Sequence, residues 1–168
     1  RPVKGRIAVT GFRVGELLEQ PNLGSVSCEA GLNGVVGKGL IDARVDGSVS
    51  QLEFNGYDYD SLRFGGRLTE KTFNGHVRAD DPALRFDFQG EVGFNPERPH
   101  YDFDLDLIHA DLARMHLNRR DSVSVLSALV EARASGRTLD DLNGKVTVGD
   151  VVYRYNADTL RTTRLTLD

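Results

Sequence analysis

The stretch Tyr101–Leu117, YDFDLDLIHADLARMHL, decides the fold. Tyr101, Phe103, Leu105 and Leu107 take every second place, and Asp102, Asp104 and Asp106 fill the gaps. A period of two is that of a strand, whose successive side chains point to opposite faces. One face of this strand is therefore apolar and the other is a ladder of carboxylates. Carboxylates on one face are roughly 6.5–7 Å apart, whereas a divalent ion needs oxygens within about 2.0–2.6 Å of itself. Neighbours in this series cannot chelate one ion, even though an adjacent strand would bring Glu91 or Gln89 alongside. The ladder reads as the solvated back of a strand, where charge opposes self-association.

The same period runs outward from this segment. Ile41, Ala43, Val45 and Val49 alternate, as do Leu62, Phe64 and Leu68, then Phe73, Val77 and Ala79, then Leu84, Phe86, Phe88, Val92 and Phe94. Helical signals are short: Gly15–Leu18, Asp111–Arg114 and Leu139–Leu142 each suit a single turn. Over Ser122–Ser135, Val123, Leu126 and Val130 have helical spacing, while Leu126, Ala128, Val130, Ala132 and Ala134 alternate. We read a strand there.

Opposed residues in an antiparallel hairpin have position numbers of constant sum and share a face. Asn55-Gly56 is the favoured pair for a two-residue type I′ turn. It sets Phe54 against Tyr57 and Leu52 against Tyr59. Further out, Val49 meets Leu62, Gly47 meets Phe64 and Ala43 meets Leu68. The apolar phase slips at Ser50-Gln51 and, opposite, at Asp60-Ser61, so both strands are expected to bend together. A turn at Thr69–Thr72 pairs Leu68 with Phe73 and Phe64 with Val77. A loop of Asp80–Ala83 pairs Ala79 with Leu84, Gly75 with Phe88 and Phe73 with Gly90. A loop of Asn95–His100 pairs Phe94 with Tyr101 and Val92 with Phe103. Glycine opposite phenylalanine lets a ring lie over bare backbone and the sheet curl. Four matches in succession predict an all-β antiparallel meander.

The chain of 168 residues suits one domain-sized segment, 1–168, without subdivision. Its net charge of −4, with Lys and Arg scattered, argues against nucleic acid and shows no patch for an anionic membrane. Cys28 is alone, which excludes a disulfide framework and a Cys-based zinc site. No apolar run approaches the roughly 20 residues that span a bilayer. Arg1-Pro2 is no signal peptide, and Val3–Phe12 and Leu160–Asp168 read as strands without caps or tails. The sequence is thus expected to be a piece of a longer chain, with open sheet edges able to pair edge to edge.

Motifs for chemistry are weak. His76, His100, His109 and His116 have no HExxH spacing, and no GxSxG elbow is present. His109, in phase with Leu107, reads as a rim residue of the apolar face. Gly31–Gly39, GLNGVVGKG, contains Gly37-Lys38, but its first glycine is misplaced by one residue and Gly39 stands where Ser or Thr should hold magnesium. It reads as a glycine-rich connection. Asp80-Asp81-Pro82 reads as turn chemistry, and Arg119-Arg120 as a solvated pair. No catalytic residue, metal site or cofactor is expected.

The segment Val45–Phe94 followed by YDFDLDLIHADL, with GFRVGELLEQPNLGSVS at Gly11–Ser27 and LDDLNGKVTVGDVVYRY at Leu139–Tyr155, resembles the AsmA-like superfamily, specifically its translocation and assembly module subunit (TamB) family of the Bacteroidetes type. The resemblance spans nearly the whole chain, on repeat-like rather than catalytic motifs. It implies an antiparallel sheet curled into a U-shaped trough, a β-taco with an apolar interior. It also implies an inner-membrane-anchored protein crossing the periplasm of a Gram-negative cell. Anchor and docking end, with its outer-membrane partner of the BamA superfamily, would lie outside this segment. The implied work is conduction of phospholipids between inner and outer membranes.

A sheet sandwich is the alternative for such alternation, but Val123–Leu167 is poor in large apolar residues, and with the resemblance we expect a trough. The expected lining begins with Val45, Val49, Leu52 and Phe54, then Tyr57, Tyr59, Leu62 and Phe64. Phe73 and Val77 continue it, followed by Leu84, Phe86, Phe88, Val92 and Phe94, and by Tyr101, Phe103, Leu105 and Leu107. The sequence shows no lid for them, and the expected occupant is phospholipid acyl chain. The alternative function is a scaffold or chaperone that pairs its strand edges with outer-membrane β-barrel clients, without carrying lipid.

Overall fold

Alternating apolar and polar residues, punctuated by Asn-Gly, Thr and Pro turns, fold here as strand after strand. The computed structural model describes residues 1–18, 21–138 and 141–167, the side chains of Leu17 and Leu18 excepted. The strands are β1 (Pro2–Arg13), β2 (Leu23–Gly37), β3 (Leu40–Phe54), β4 (Tyr57–Tyr59), β5 (Leu62–Thr69), β6 (Thr72–Asp80), β7 (Leu84–Gly93), β8 (His100–Asp111), β9 (Ser124–Ser135), β10 (Asn143–Tyr155) and β11 (Asp158–Leu167), with one short helix, α1 (Val14–Leu18). They form a single antiparallel sheet in the order β1-β2-β3-β5-β6-β7-β8-β9-β10-β11, and β4 returns along the end of β3. The edges β1 and β11 do not join, so the sheet is not a barrel.

The first two expected hairpins form in the expected register. Asn55 and Gly56 both have positive φ, 52° and 73°, as the type I′ turn requires. Phe54 opposes Tyr57 and Leu52 opposes Tyr59, and farther along Val49 meets Leu62 and Gly47 meets Phe64. The phase slip is also present. Ser61, at φ 55°, breaks the returning strand between β4 and β5, and Ser50 bulges out of the β2–β3 ladder. Val49 and Leu52 therefore share a face despite opposite parity. At the next turn Thr69 Oγ1 accepts the Thr72 N–H at 3.0 Å, and Leu68 opposes Phe73.

Two registers differ from expectation by two residues. On β6–β7, Ala79 meets Phe86, Val77 meets Phe88, Gly75 meets Gly90 and Phe73 meets Val92, in place of the pairs of Ala79 with Leu84, Gly75 with Phe88 and Phe73 with Gly90. The loop is tighter than four residues because Asp81 and Leu84 exchange backbone hydrogen bonds at 3.0 and 3.2 Å, leaving only Pro82-Ala83 between them. The Asp81 carboxylate also accepts the Ala83 N–H at 2.7 Å, an Asx turn that draws Asp81 into the hairpin. On β7–β8, Val92 meets Tyr101 and Gly90 meets Phe103, in place of Phe94 with Tyr101 and Val92 with Phe103. Phe94 has left that ladder, donating its N–H to Lys71 O at 2.6 Å, while Asn95 Oδ1 accepts the Glu97 N–H. A slip of two keeps every side chain on its own face, so the facing pattern survives both changes.

His109 is a third correction. An extra residue at Ile108 bulges β8, so that His109 opposes Arg85 and Ala110 opposes Leu84. The bulge reverses phase and turns His109 to the polar face. The Gly31–Gly39 connection is likewise shorter than expected, since Gly31–Gly37 belongs to β2 and the turn is Lys38-Gly39 alone. Ser124–Ser135 is strand, as its alternation predicts. Gly15–Leu18 falls in α1, Asp111–Arg114 opens a turn capped by Asp111 Oδ1 on the Arg114 N–H, and Leu139–Leu142 lies partly outside the described residues.

The core reflects one layer. Its fully buried apolar residues are mostly alanines, among them Ala43, Ala79, Ala110, Ala128, Ala132 and Ala134, while the large side chains of the same face are half-buried. All strands among the described residues belong to the one sheet, so the sandwich alternative is not realised.

Candidate functional site

The register assembles the apolar face in rows that cross the strands. Phe64, Val77, Phe88, Leu105 and Val130 oppose one another in turn on β5 to β9. On one side runs Leu62, Ala79, Phe86, Leu107 and Ala128, and on the far side Leu68, Phe73, Val92, Tyr101 and Ala134. Between these lies a row of Gly66, Gly75, Gly90 and Phe103. A Cβ on Gly75 would stand 2.6 Å from the Gly66 Cα, and one on Gly66 would stand 2.7 Å from the Gly75 Cα. Neighbouring backbones thus close in along this line, and the sheet bends toward its apolar face as only side-chain-free positions permit. Phe103 tilts over the row to lie 5.1 Å from the Phe88 ring, and Phe64 Cζ covers Gly47. The expected stacking of phenylalanine on glycine is therefore realised at Gly47 under Phe64, whereas the expected pairs of Gly75 with Phe88 and Gly90 with Phe73 do not form, and Gly90 lies instead against the Phe103 backbone and Cβ.

Val45 and Val49 extend the face onto β3, and β2 and β1 continue it through Leu32, Ala30, Val3 and Ile7. Phe54 stays beside Tyr57 but is exposed, and Phe94, at 49% exposure, stands outside the ladder.

One rim of the face is covered, contrary to the expectation of no lid. Met115, 2% exposed, sits with Tyr59, Ala83 and Ala110, against Leu52, Tyr57, Leu62, Leu84, Leu107, Leu112 and Leu126. Six of the expected lining residues (Leu52, Tyr57, Tyr59, Leu62, Leu84 and Leu107) thus pack in a cluster made by the chain itself. The loop after β8 reaches the β3–β4 turn, where His116 Nδ1 lies 2.9 Å from the Asn55 carbonyl oxygen and the Arg114 guanidinium lies 5.9 Å above the Tyr57 ring. Its other leg is tied down by Asn118 Nδ2, which donates to Ser124 Oγ at 3.0 Å and to Tyr153 Oη at 3.3 Å.

Beneath this cluster the buried Asp81 carboxylate gathers three donors: the Tyr57 hydroxyl at 2.8 Å, the Asp60 N–H at 3.0 Å and the Ala83 N–H. Burial and the Asp81 carboxylate push the Tyr57 phenol up to about 12, and burial raises Tyr59 as well. Asp81 is structural, joining the β3–β4 return to the β6–β7 turn. Neither this staple nor the Met115 cover is evident from alternation, because both link segments far apart in sequence.

The opposite face is charged and wet. Arg133 on β9 reaches both Asp102 and Asp104 at 2.9 Å, and Glu91 and Gln89 stand opposite those two aspartates as expected. Arg67 pairs with Asp42 at 2.6 Å and holds that carboxyl below its usual range. Glu91 is lowered by hydrogen bonds from Asn74 and then from His100, whose Nε2 is 2.7 Å away. Among the described residues no three acidic, histidine or cysteine side chains gather to hold a metal ion. No helix of the described residues is long and apolar enough to cross a membrane. The face that remains is an apolar strip that crosses β5 to β9 and continues onto β3, β2 and β1, with aromatic rings half-buried along it.

No family model, curated protein or solved structure matches this chain.

Proposed function

We propose that the chain is one segment of an apolar β-groove that holds phospholipid acyl chains and conducts them between the inner and outer membranes of a Gram-negative envelope. The observation that carries the reading is the row of half-buried Phe64, Val77, Phe88 and Leu105 on a sheet over which the described residues place no second layer. Apolar surface of that extent marks a binding site. The open rows suit a flexible chain better than a rigid ligand, because polar side chains that would orient a head group do not interrupt them. Holding is collective, about 0.8 kcal/mol per buried methylene. The AsmA-like resemblance supports the same reading and supplies its setting in the periplasm, with the membrane anchor and the BamA-superfamily partner beyond this segment.

Native mass spectrometry of the purified chain with a fluorescent phospholipid tests it. The wild type takes up lipid, and Phe88→Asp or Leu105→Lys reduces uptake at least about tenfold with circular dichroism unchanged. A folded, monomeric chain that takes up neither lipid nor an apolar dye would overturn the reading. The open edges β1 and β11 favour a second reading, strand-edge pairing with β-barrel clients; crosslinks from the edges to client peptides, with none to lipid, would support it in place of the first.

A further inference from the structure

Asparagine followed by glycine occurs at Asn33, Asn55, Asn74 and Asn143. In such a pair the glycine nitrogen can approach the asparagine side-chain amide, because no Cβ stands in the way. The fold treats the four pairs differently. Gly34 lies between Val3 and Ala43, and Gly75 between Gly66 and Gly90, in strands with a neighbour on each side. Each N–H of such a strand is committed to one neighbour or the other. The Asn74 amide is held as well, donating to Glu91 Oε2 at 3.0 Å. Asn143-Gly144 opens β10 opposite Ser135 and Ala134, and Gly144 stands close against the Arg133 carbonyl. Asn55-Gly56 is the pair that forms a turn. Among the described residues the Asn55 side-chain amide makes no hydrogen bond, and Gly56 N makes none to the backbone.

We propose that Asn55 is a deamidation site whose product releases the Met115 loop. Gly56 N attacks Asn55 Cγ: the N–Cγ bond forms, the Cγ–Nδ2 bond breaks, and Nδ2 leaves as ammonia with the Gly56 proton. Water then opens the resulting succinimide to aspartate or to isoaspartate, whose main chain is longer by one methylene. A two-residue type I′ turn, with φ 52° and 73°, has no slack for that methylene. The turn is also an anchor of the cover. The Asn55 carbonyl oxygen lies 2.9 Å from His116 Nδ1, and the Arg114 guanidinium sits over the neighbouring Tyr57 ring. His116 itself has φ 60°, a conformation that persists only where surrounding contacts hold it. Moving the turn therefore frees the loop that buries Met115 against Tyr59 and Ala110. Access to water would favour the other three, since Asn33, Asn74 and Asn143 are exposed and Asn55 is half-buried. The strand ladder, and not exposure, sets the order. This release does not depend on what the apolar face carries.

The test ages the full chain at mildly alkaline pH, in buffer and in urea, and reads the rate at each asparagine by peptide mapping. In urea the four pairs react alike, because glycine follows each. In the folded chain Asn55 reacts fastest, whereas Asn33 and Asn74 are slowed about tenfold or more, since attack there waits on opening of the sheet. Hydrogen exchange of the aged chain then shows lost protection over residues 112–118, where the Met115 N–H donates to Asp111 O at 2.9 Å. Asn55→Gly keeps a residue that accepts positive φ and has no amide to lose. Aged alongside, it retains that protection. A rate at Asn55 no higher than at the other three, or unchanged protection of 112–118 once position 55 has reacted, would overturn the inference.

Discussion

The Tyr57 hydroxyl donates to Asp81 Oδ1 at 2.8 Å, joining the β3–β4 return to a turn on the far side of β5. Asp81 is 1% exposed and accepts two backbone N–H groups besides. Asp81→Ala strands all three donors and lowers stability by about 3 kcal/mol or more, whereas Tyr57→Phe costs about 1 kcal/mol. Urea midpoints measure both, and equal losses would show that the phenol is the whole of the staple.

Burial of Tyr57, together with the same bond, sets an alkaline limit. The folded protein holds Tyr57 at about 12 against its ordinary 10.0, so folding favours the neutral phenol. The stabilisation is complete below about pH 10 and is lost as pH rises through about 12. Thermal melts across that window fall more steeply for the wild type than for Tyr57→Phe, in which only the smaller contribution of Tyr59 remains.

Gly90 has φ 142° and lies against the Phe103 backbone. Gly90→Ala combines an unfavourable conformation with a close contact and costs about 1–3 kcal/mol. Gly75→Val acts at the same crease through contact alone, since its φ is unremarkable. Hydrogen exchange should show lost protection centred on β6 and β7, and uniform loss over the sheet would contradict a local crease.

Met115 covers the rim cluster from a loop, not from a strand. Met115→Ala costs about 2–5 kcal/mol and raises binding of an apolar dye, because Leu107 and Tyr59 lose their cover. A loss of stability without added dye binding would mean that the loop collapses inward and leaves no opening.

Asp102 and Asp104 are largely exposed, and so is their partner Arg133. Asp104→Asn shifts stability by less than about 1 kcal/mol, and calcium or magnesium leaves the melting temperature of the wild type unchanged. A calcium-dependent rise abolished by Asp104→Asn would restore the metal reading of this ladder.

Legibility in the sequence followed the range of the interaction. Phe103 and Leu105 face the same way as Phe88 because side chains alternate with a period of two, and a two-residue error in loop length cannot alter that. The loops themselves were harder. Asp81 shortens its turn through a carboxylate that three separate donors require, and Phe94 leaves its ladder for Lys71 on a neighbouring hairpin. Ile108 turned His109 away from the expected rim because a bulge depends on both flanking strands at once. Asn55-Gly56, whose turn is specified by its own two residues, needed no such context.

By itself the sequence determined that this chain is an antiparallel meander with one apolar and one charged face, since alternation and turn residues act within a hairpin. Only the tertiary structure decided that three glycines meet in one crease, that Met115 caps one rim, and that Arg133 pairs with Asp102 and Asp104 of the Asp ladder. Those contacts arise between strands distant in sequence, where the exact register, and not the period, decides which atoms meet.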